Sequence, residues 1–451
     1  MKFKSTRGGE TGVTFCEAVA KGLAEDGGLF LPDSLPDIKP HLDNFKKLSY
    51  SELCAEFFSF FATDIPKSKL IEHANNAYSN FDHKEIAPLK KMGKELYILE
   101  LFHGPTLAFK DFALQFLGNL YEEQISRTNA PITVLGATSG DTGAAAIHGL
   151  IGKKAVNIFI LYPNGRVSPL QEFQMTRTEA PNVYPIAISG SFDDAQNILK
   201  DIFNDLDFKK QVGLSAINSI NLARILAQCV YYLYSWLKLS EKEQQNVNFI
   251  VPSGNFGNVL SGWLIHKMGL PVKSFHIAAN QNDILDRFYK TGNYSPGIVE
   301  PSLAPSMDIQ IASNFERLLY YMEKENPEAV SDIMETIKGG GDYTASDLKA
   351  YNFTSSKTND TEINETIKSF YKDHDYILDP HTACGIKGIK PNSTNILLST
   401  AHPAKFPDTI KEAIKKHPKS DTLEVLRNKK ETKYEMAADA NKVKAFILEH
   451  L

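Results

Sequence analysis

The sequence predicts an α/β protein built on two open, mainly parallel sheets behind a helix-rich N-terminal region. Three observations predict it. Short apolar runs rich in β-branched residues alternate with helix-length apolar segments, the pattern of strands joined by crossover helices. Two of those runs end in glycine-rich loops that lead straight into an apolar helix. Residues 1 to about 90, by contrast, carry helical pattern and little strand signal.

In the N-terminal region only Leu29–Leu31 reads as a strand, and Glu52–Phe61 (ELCAEFFSFF) reads as an apolar helix. Strands are expected at Leu96–Leu99, Ile132–Leu135, Val156–Leu161, Val183–Ile188, Val247–Val251, Val272–Ala278 and Asn395–Ser399. Helices are expected between them at Phe112–Tyr121, Thr142–Ile151, Asp193–Phe203, Ala223–Leu239 and Phe256–Met268. The run Ala223–Leu239 carries Arg224, Gln228 and Lys238 and is too short and polar to span a bilayer, so it reads as a buried helix. Gly339–Gly341 and the polar run to Asn364 read as an exposed connector or lid. The stretch Leu426–Tyr434 (LRNKKETKY) reads as a solvated charge run. The expected organisation is an N-terminal domain (1–90), a large domain (91–130 and 216–451) and a small mobile domain (131–215).

A chain of 451 residues can bury sizeable cores, and a formal net charge of −5 gives no footprint for nucleic acid or an anionic membrane. The N-terminal MKFKSTRGGETG lacks the apolar core of a signal peptide, so a cytoplasmic protein is expected. Cys16, Cys54, Cys229 and Cys384 are scattered, as in a reduced protein without disulfides. His381 and Cys384 make one HxxC pair, but no second pair completes a tetrahedral site, and no metal is expected.

The chemistry-bearing stretches are three. In LFHGPTLAFKDFA (Leu101–Ala113) one lysine sits between two phenylalanines, either half-buried with its ammonium in water or desolvated and reactive toward a carbonyl. VLGATSGDTGAAAIHG (Val134–Gly149) and FIVPSGNFGNVLSG (Phe249–Gly262) are each a strand, a small-residue loop and a helix, an arrangement that favours an anion at the helix N-terminus. Neither loop is a P-loop or a dinucleotide fingerprint, and the single Asp-Thr-Gly has no second copy to make an aspartic protease. One loop for a cofactor phosphate, the other for a substrate carboxylate, and a reactive lysine fit pyridoxal phosphate.

Seven stretches in order carry a family resemblance: GLAEDGGLFLP (Gly22–Pro32), LFHGPTLAFKDFA, ATSGDTG, LYPNGRVSPLQE (Leu161–Glu172), NSINLARILAQ (Asn218–Gln228), VPSGNFGN and TAHPAKF (Thr400–Phe406). The chain resembles the threonine synthases, fold-type-II (tryptophan synthase β-like) pyridoxal-phosphate enzymes. The resemblance implies Lys110 as the Schiff-base lysine and proton carrier. It implies Gly254, Asn255, Phe256, Gly257 and Asn258 as the cofactor-phosphate cradle, and Thr400 as partner of the pyridine nitrogen. Thr138, Ser139, Asp141 and Thr142 would hold the amino-acid end of the substrate, and Ser219 and Arg224, with Thr142 and Asn258, its phosphate. The implied reaction turns O-phospho-L-homoserine and water into L-threonine and phosphate, in a monomer or weak homodimer. A phospho-lyase releasing 2-oxobutyrate, or a cofactor-binding protein without activity, are the alternatives. His103 and His402 are expected to serve structure, and Asp111 to cap the helix beginning beside Lys110.

Overall fold

A computed structural model describes every residue except Asn218 and Ser346. The N-terminal region holds a short antiparallel pair, β1 (Phe3–Ser5) and β2 (Phe30–Pro32), and the helices α1 (Tyr50–Ser59) and α2 (Lys67–Tyr78). The first turn of α1 is set by a capping box in which Ser49 and Glu52 satisfy each other's backbone N–H. This region has no core of its own. Phe57, Phe58 and Leu70 share one apolar cluster with Phe112, Phe116 and Tyr231, and the Phe58 and Phe116 rings lie 4.5 Å apart.

The remaining strands are β3 (Leu89–Lys91), β4 (Leu96–Glu100), β5 (Ile132–Ala137), β6 (Val156–Pro163), β7 (Val183–Ser189), β8 (Leu214–Ala216), β9 (Val247–Pro252), β10 (Ser274–Ala279), β11 (Asn293–Tyr294), β12 (Tyr343–Thr344), β13 (Phe353–Lys357), β14 (Thr394–Ser399) and β15 (Tyr434–Ala437). Six form a large sheet in the order β13-β10-β9-β14-β4-β3, parallel except for the edge strand β3. Five form a small, all-parallel sheet in the order β15-β7-β6-β5-β8. Both sheets are covered by helices, which is why strands such as β9 are buried at every residue instead of alternating. All seven expected strands are present.

The helices packed on these sheets include α3 (Lys110–Thr128), α4 (Asp141–Leu150), α5 (Pro169–Thr176), α6 (Phe192–Asn204), α7 (Leu222–Leu237), α8 (Gly257–Lys267), α9 (Asp360–His374) and α10 (Ala440–Glu449). Helix α7 is buried along all 16 residues, as its apolar run predicts. Among the described residues no helix is long and apolar enough to cross a membrane.

Two expectations are corrected. The polar run after Gly341 is no lid: residues 353–357 pair in parallel with β10 as the edge of the large sheet, and α9 follows. The run looks solvated because the hydroxyls of Thr354 and Ser356 are taken up by the two ring nitrogens of His276, at 3.0 and 2.8 Å, while Phe353 packs on Phe275. The last residues do not extend the large domain. Strand β15 pairs with β7 at the edge of the small sheet, and Val443 and Ile447 of α10 enter its core beside Ile186, Ile188 and Ile198. The helical spacing of Val443 and Ile447 supplies the apolar face that covers this edge.

Candidate active site

Parallel sheets offer ligand sites outside the carboxyl ends of their strands. Here the segments that follow β5 (Thr138–Thr142), β9 (Ser253–Asn258) and β14 (Thr400) all meet a single cleft. Lys110, Asp141, Thr142, Ser219, Arg224, Gly254 to Asn258 and Thr400 all line it. Thr138 and Ser139 do not. The Thr138 hydroxyl accepts from the N–H groups of Gly140 (3.0 Å) and Gly143 (2.9 Å) and so fixes the start of α4, while Ser139 faces solvent. Asn218, the first residue of the stretch that carries Ser219 and Arg224, lies outside the described residues.

Lys110 opens α3 and is held there from both sides. Phe109 N–H donates to the Thr400 carbonyl (2.9 Å) and His402 N–H to the Leu107 carbonyl (3.0 Å), so the lysine loop is stitched to the end of β14. Leu107 adopts a left-handed φ of 58°, a conformation a branched residue keeps only when its surroundings impose it. Asp111 braces the same loop rather than capping α3: its carboxylate accepts from Thr106 N–H (2.8 Å) and the Thr106 hydroxyl (2.6 Å). His103 bridges Asp82 and Glu100, at 2.6 and 3.0 Å, and His402 accepts from Ala404 N–H; neither lines the cleft.

The Lys110 amine lies 3.4 Å from Asp141 Oδ2 and 3.4 Å from the Ser306 hydroxyl. Burial pushes its pKa down, Asp141 opposes this, and the positive charges of Lys405 and Arg224 reinforce it. Burial acts to raise the Asp141 carboxyl, but Lys405 and Lys110 outweigh it and hold the group well below the usual carboxylate range. Arg224, three residues into α7 and only 3% exposed, is pushed down to about 10 by burial, which leaves it a cation at neutral pH.

The loop after β9 is a cradle. Phe256 takes a left-handed φ of 63° at the start of α8, with its ring packed on Phe315 and Phe353, so its backbone rather than its ring faces the cleft. A Cβ at Gly254 would come within 2.9 Å of Ile309 and 3.0 Å of the Met307 backbone, so the close turn requires glycine. Within the cradle the Asn258 side-chain N–H₂ and the Ser253 hydroxyl are buried with no hydrogen-bond partner among the described residues. Tyr231 and Tyr232 both donate to Asn258 Oδ1, at 2.6 and 2.9 Å, and this turns the amide donors toward the cleft. Buried donors of this kind demand an acceptor. An amine, an anion seat at a helix N-terminus with orphaned donors, and a lone hydroxyl at Thr400 fit pyridoxal phosphate. Among the described residues no group of His, Cys, Asp and Glu is arranged for a metal.

Four lining residues lie outside the stretches that the sequence singles out as chemistry-bearing. Ser306, Met307 and Asn314 come from loops without glycine or helical pattern, and Asn314 donates to the Ser219 carbonyl (3.0 Å). His381, read only as half of an HxxC pair, accepts from Ser306 N–H (3.1 Å) while its other ring nitrogen faces Asp379 at 3.0 Å. The DPHT sequence, in which Asp379 caps the turn holding His381, is the signal that could have found it.

Fold and cleft together define a fold-type-II pyridoxal-phosphate enzyme, and a family model described as "Pyridoxal-phosphate dependent enzyme" matches residues 83–397. Models described as "Threonine synthase N terminus" and "Threonine synthase, C-terminal" match residues 2–78 and 382–447. The chain belongs to the threonine synthase family. Threonine synthase of Schizosaccharomyces pombe is 43% identical over 459 residues, covering 92% of this chain and 89% of its own. A crystal structure of pyridoxal-phosphate-bound threonine synthase from Brucella melitensis superposes with a TM-score of 0.96 at 39% identity, covering 100% of this chain and 99% of that one. For the yeast enzyme's crystal structure the TM-score is 0.93 at 41% identity, covering 100% and 98%.

Proposed function

We propose that the cleft converts O-phospho-L-homoserine and water to L-threonine and phosphate, with Lys110 as covalent anchor of the cofactor and carrier of protons. The observation that carries this reading is one cleft in which a single buried amine shares space with two sets of anion-binding groups, the Ser253–Asn258 cradle and the Ser219/Arg224 pair. A cofactor phosphate and a substrate phosphate need one each.

Bound pyridoxal phosphate supplies an electron sink conjugated with the substrate's α carbon. Once displaced from the cofactor by the substrate's amine, Lys110 Nζ is the base that takes the Cα proton. Burial shifts its pKa downward, toward the neutral amine that this task needs. Having handed that proton on, the same nitrogen takes one from Cβ as phosphate leaves Cγ and returns one to Cγ, and water then adds to Cβ. Arg224 and Ser219 bind the departing phosphate, the arginine presenting paired donors to its oxygens. Thr142, beside Asp141 at the start of α4, orients the amino-acid end. The Thr400 hydroxyl meets the pyridine nitrogen without fixing a proton on it as a carboxylate does. Thr400→Asp is therefore expected to raise side-product release relative to threonine. Unchanged product ratios in that variant count against the assignment.

Phosphate retention is testable at the cradle. Gly254→Ala is expected to weaken cofactor binding by roughly tenfold through the clash with the Met307 backbone, measured by titrating apoprotein with pyridoxal phosphate. The decisive assay supplies phosphohomoserine and identifies products. Threonine and phosphate in equal amounts are expected; 2-oxobutyrate and ammonia instead overturn the synthase reading in favour of a phospho-lyase. We place the enzyme in the cytoplasm as a monomer or weak homodimer, a reading supported by its mild charge and reduced, buried cysteines.

A further inference from the structure

Lys405, in the TAHPAKF stretch, is a buried cation that the reaction above does not use. Its side chain is 1% exposed and all three of its N–H donors are taken. They meet Asp141 Oδ1 at 2.9 Å, the Thr106 carbonyl at 2.8 Å and Gln174 Oε1 at 3.1 Å. One nitrogen thus ties together the lysine loop, the first residue of α4 and helix α5.

Asp141 divides its two oxygens. Oδ1 accepts from Lys405 and from Gln171 Nε2 (3.0 Å); Oδ2 faces Lys110 and accepts from the Ser306 hydroxyl (3.2 Å). The two sides differ in permanence. When Lys110 acts as a neutral base, Oδ2 loses its cation. A buried carboxylate without a counter-charge is costly, and it repels another carboxylate placed near it. The amino-acid end of the substrate carries such a carboxylate, and it is assigned to the first turn of the same helix.

We propose that Lys405 is a positioning residue that permanently cancels the charge of Asp141, so that the carboxylate of an amino-acid substrate can lie against the first turn of α4. The inference rests on the functional reading above. It explains why the sequence spends a fully buried lysine behind the cleft instead of within its lining, and why the Asp-Thr-Gly stretch does not exclude an anionic ligand.

The test uses holoenzyme and two probes: L-threonine, which has an amino-acid end but no phosphate, and inorganic phosphate. Lys405→Met is expected to raise the dissociation constant for L-threonine, read from the absorbance of bound cofactor, by roughly 10²-fold. Cofactor content and the inhibition constant of phosphate are expected to stay within about threefold, and KM for phosphohomoserine is expected to rise more than kcat falls. Lys405→Met/Asp141→Asn, which buries no unpaired charge, is expected to bring L-threonine binding back to within about tenfold of wild type. Should Lys405→Met fail to fold, that double variant carries the test alone. Unchanged L-threonine affinity in Lys405→Met overturns the proposal. So does a loss that the double variant does not restore, or a double variant that is insoluble while Asp141→Asn is soluble. Failure of wild-type enzyme to make threonine from phosphohomoserine strikes the functional reading instead, and leaves the L-threonine comparison to judge Lys405.

Discussion

Lys110→Ala is expected to lower turnover by at least about 10⁴-fold, because one nitrogen is asked both to anchor the cofactor and to move each proton. The fold should tolerate the change. The alanine removes one of two cations facing Asp141, and Lys405 and Gln171 still satisfy that carboxylate. Thermal unfolding of the variant should therefore stay close to wild type while the cofactor becomes removable by dialysis. Borohydride treatment of the wild type, followed by peptide mapping, should tag Lys110 and no other amine. A tag on a different lysine, or a variant that retains a few per cent of its activity, would remove the basis of the mechanism.

Arg224→Ala should separate substrate from cofactor. The guanidinium lines the cleft from the first turn of α7, on a different helix from the cradle that opens α8. The expected loss is roughly 10²–10³-fold in kcat/KM for phosphohomoserine, with cofactor content and L-threonine affinity retained. Arg224→Lys should recover only part of the loss, since an ammonium is a point charge and does not reproduce the planar fork. Equal loss of cofactor and substrate in titrations would show that Arg224 serves the cofactor phosphate or the fold instead.

The architecture was legible where local pattern and tertiary role coincide. Val247–Val251 reads as a buried strand because every residue but Asn248 is apolar, and it is central in the sheet for the same reason. The glycine-rich loops were legible because a close backbone approach leaves its mark in composition, as the space at Gly254 shows. What stayed hidden depends on contacts between distant segments. Phe353–Lys357 is polar in sequence, yet it is a strand because His276 across the ladder supplies partners for its hydroxyls. Lys405 stood in a quoted motif, but only the packing of Gln174 and Asp141 around it gives it a task. Thr138 was assigned to the substrate by its place in ATSGDTG, whereas two backbone N–H groups already occupy its hydroxyl. A hydroxyl's partners cannot be read from its neighbours in sequence.

The placement of β15 reaches beyond packing. The sheet that carries the Asp141 turn is closed at one edge by a strand synthesised long after its neighbour β7. Until then that edge offers unsatisfied backbone groups to any passing chain. Closure of the sheet that carries the Asp141 turn thus waits for β15, and a chain cut before β15 carries a half-made sheet.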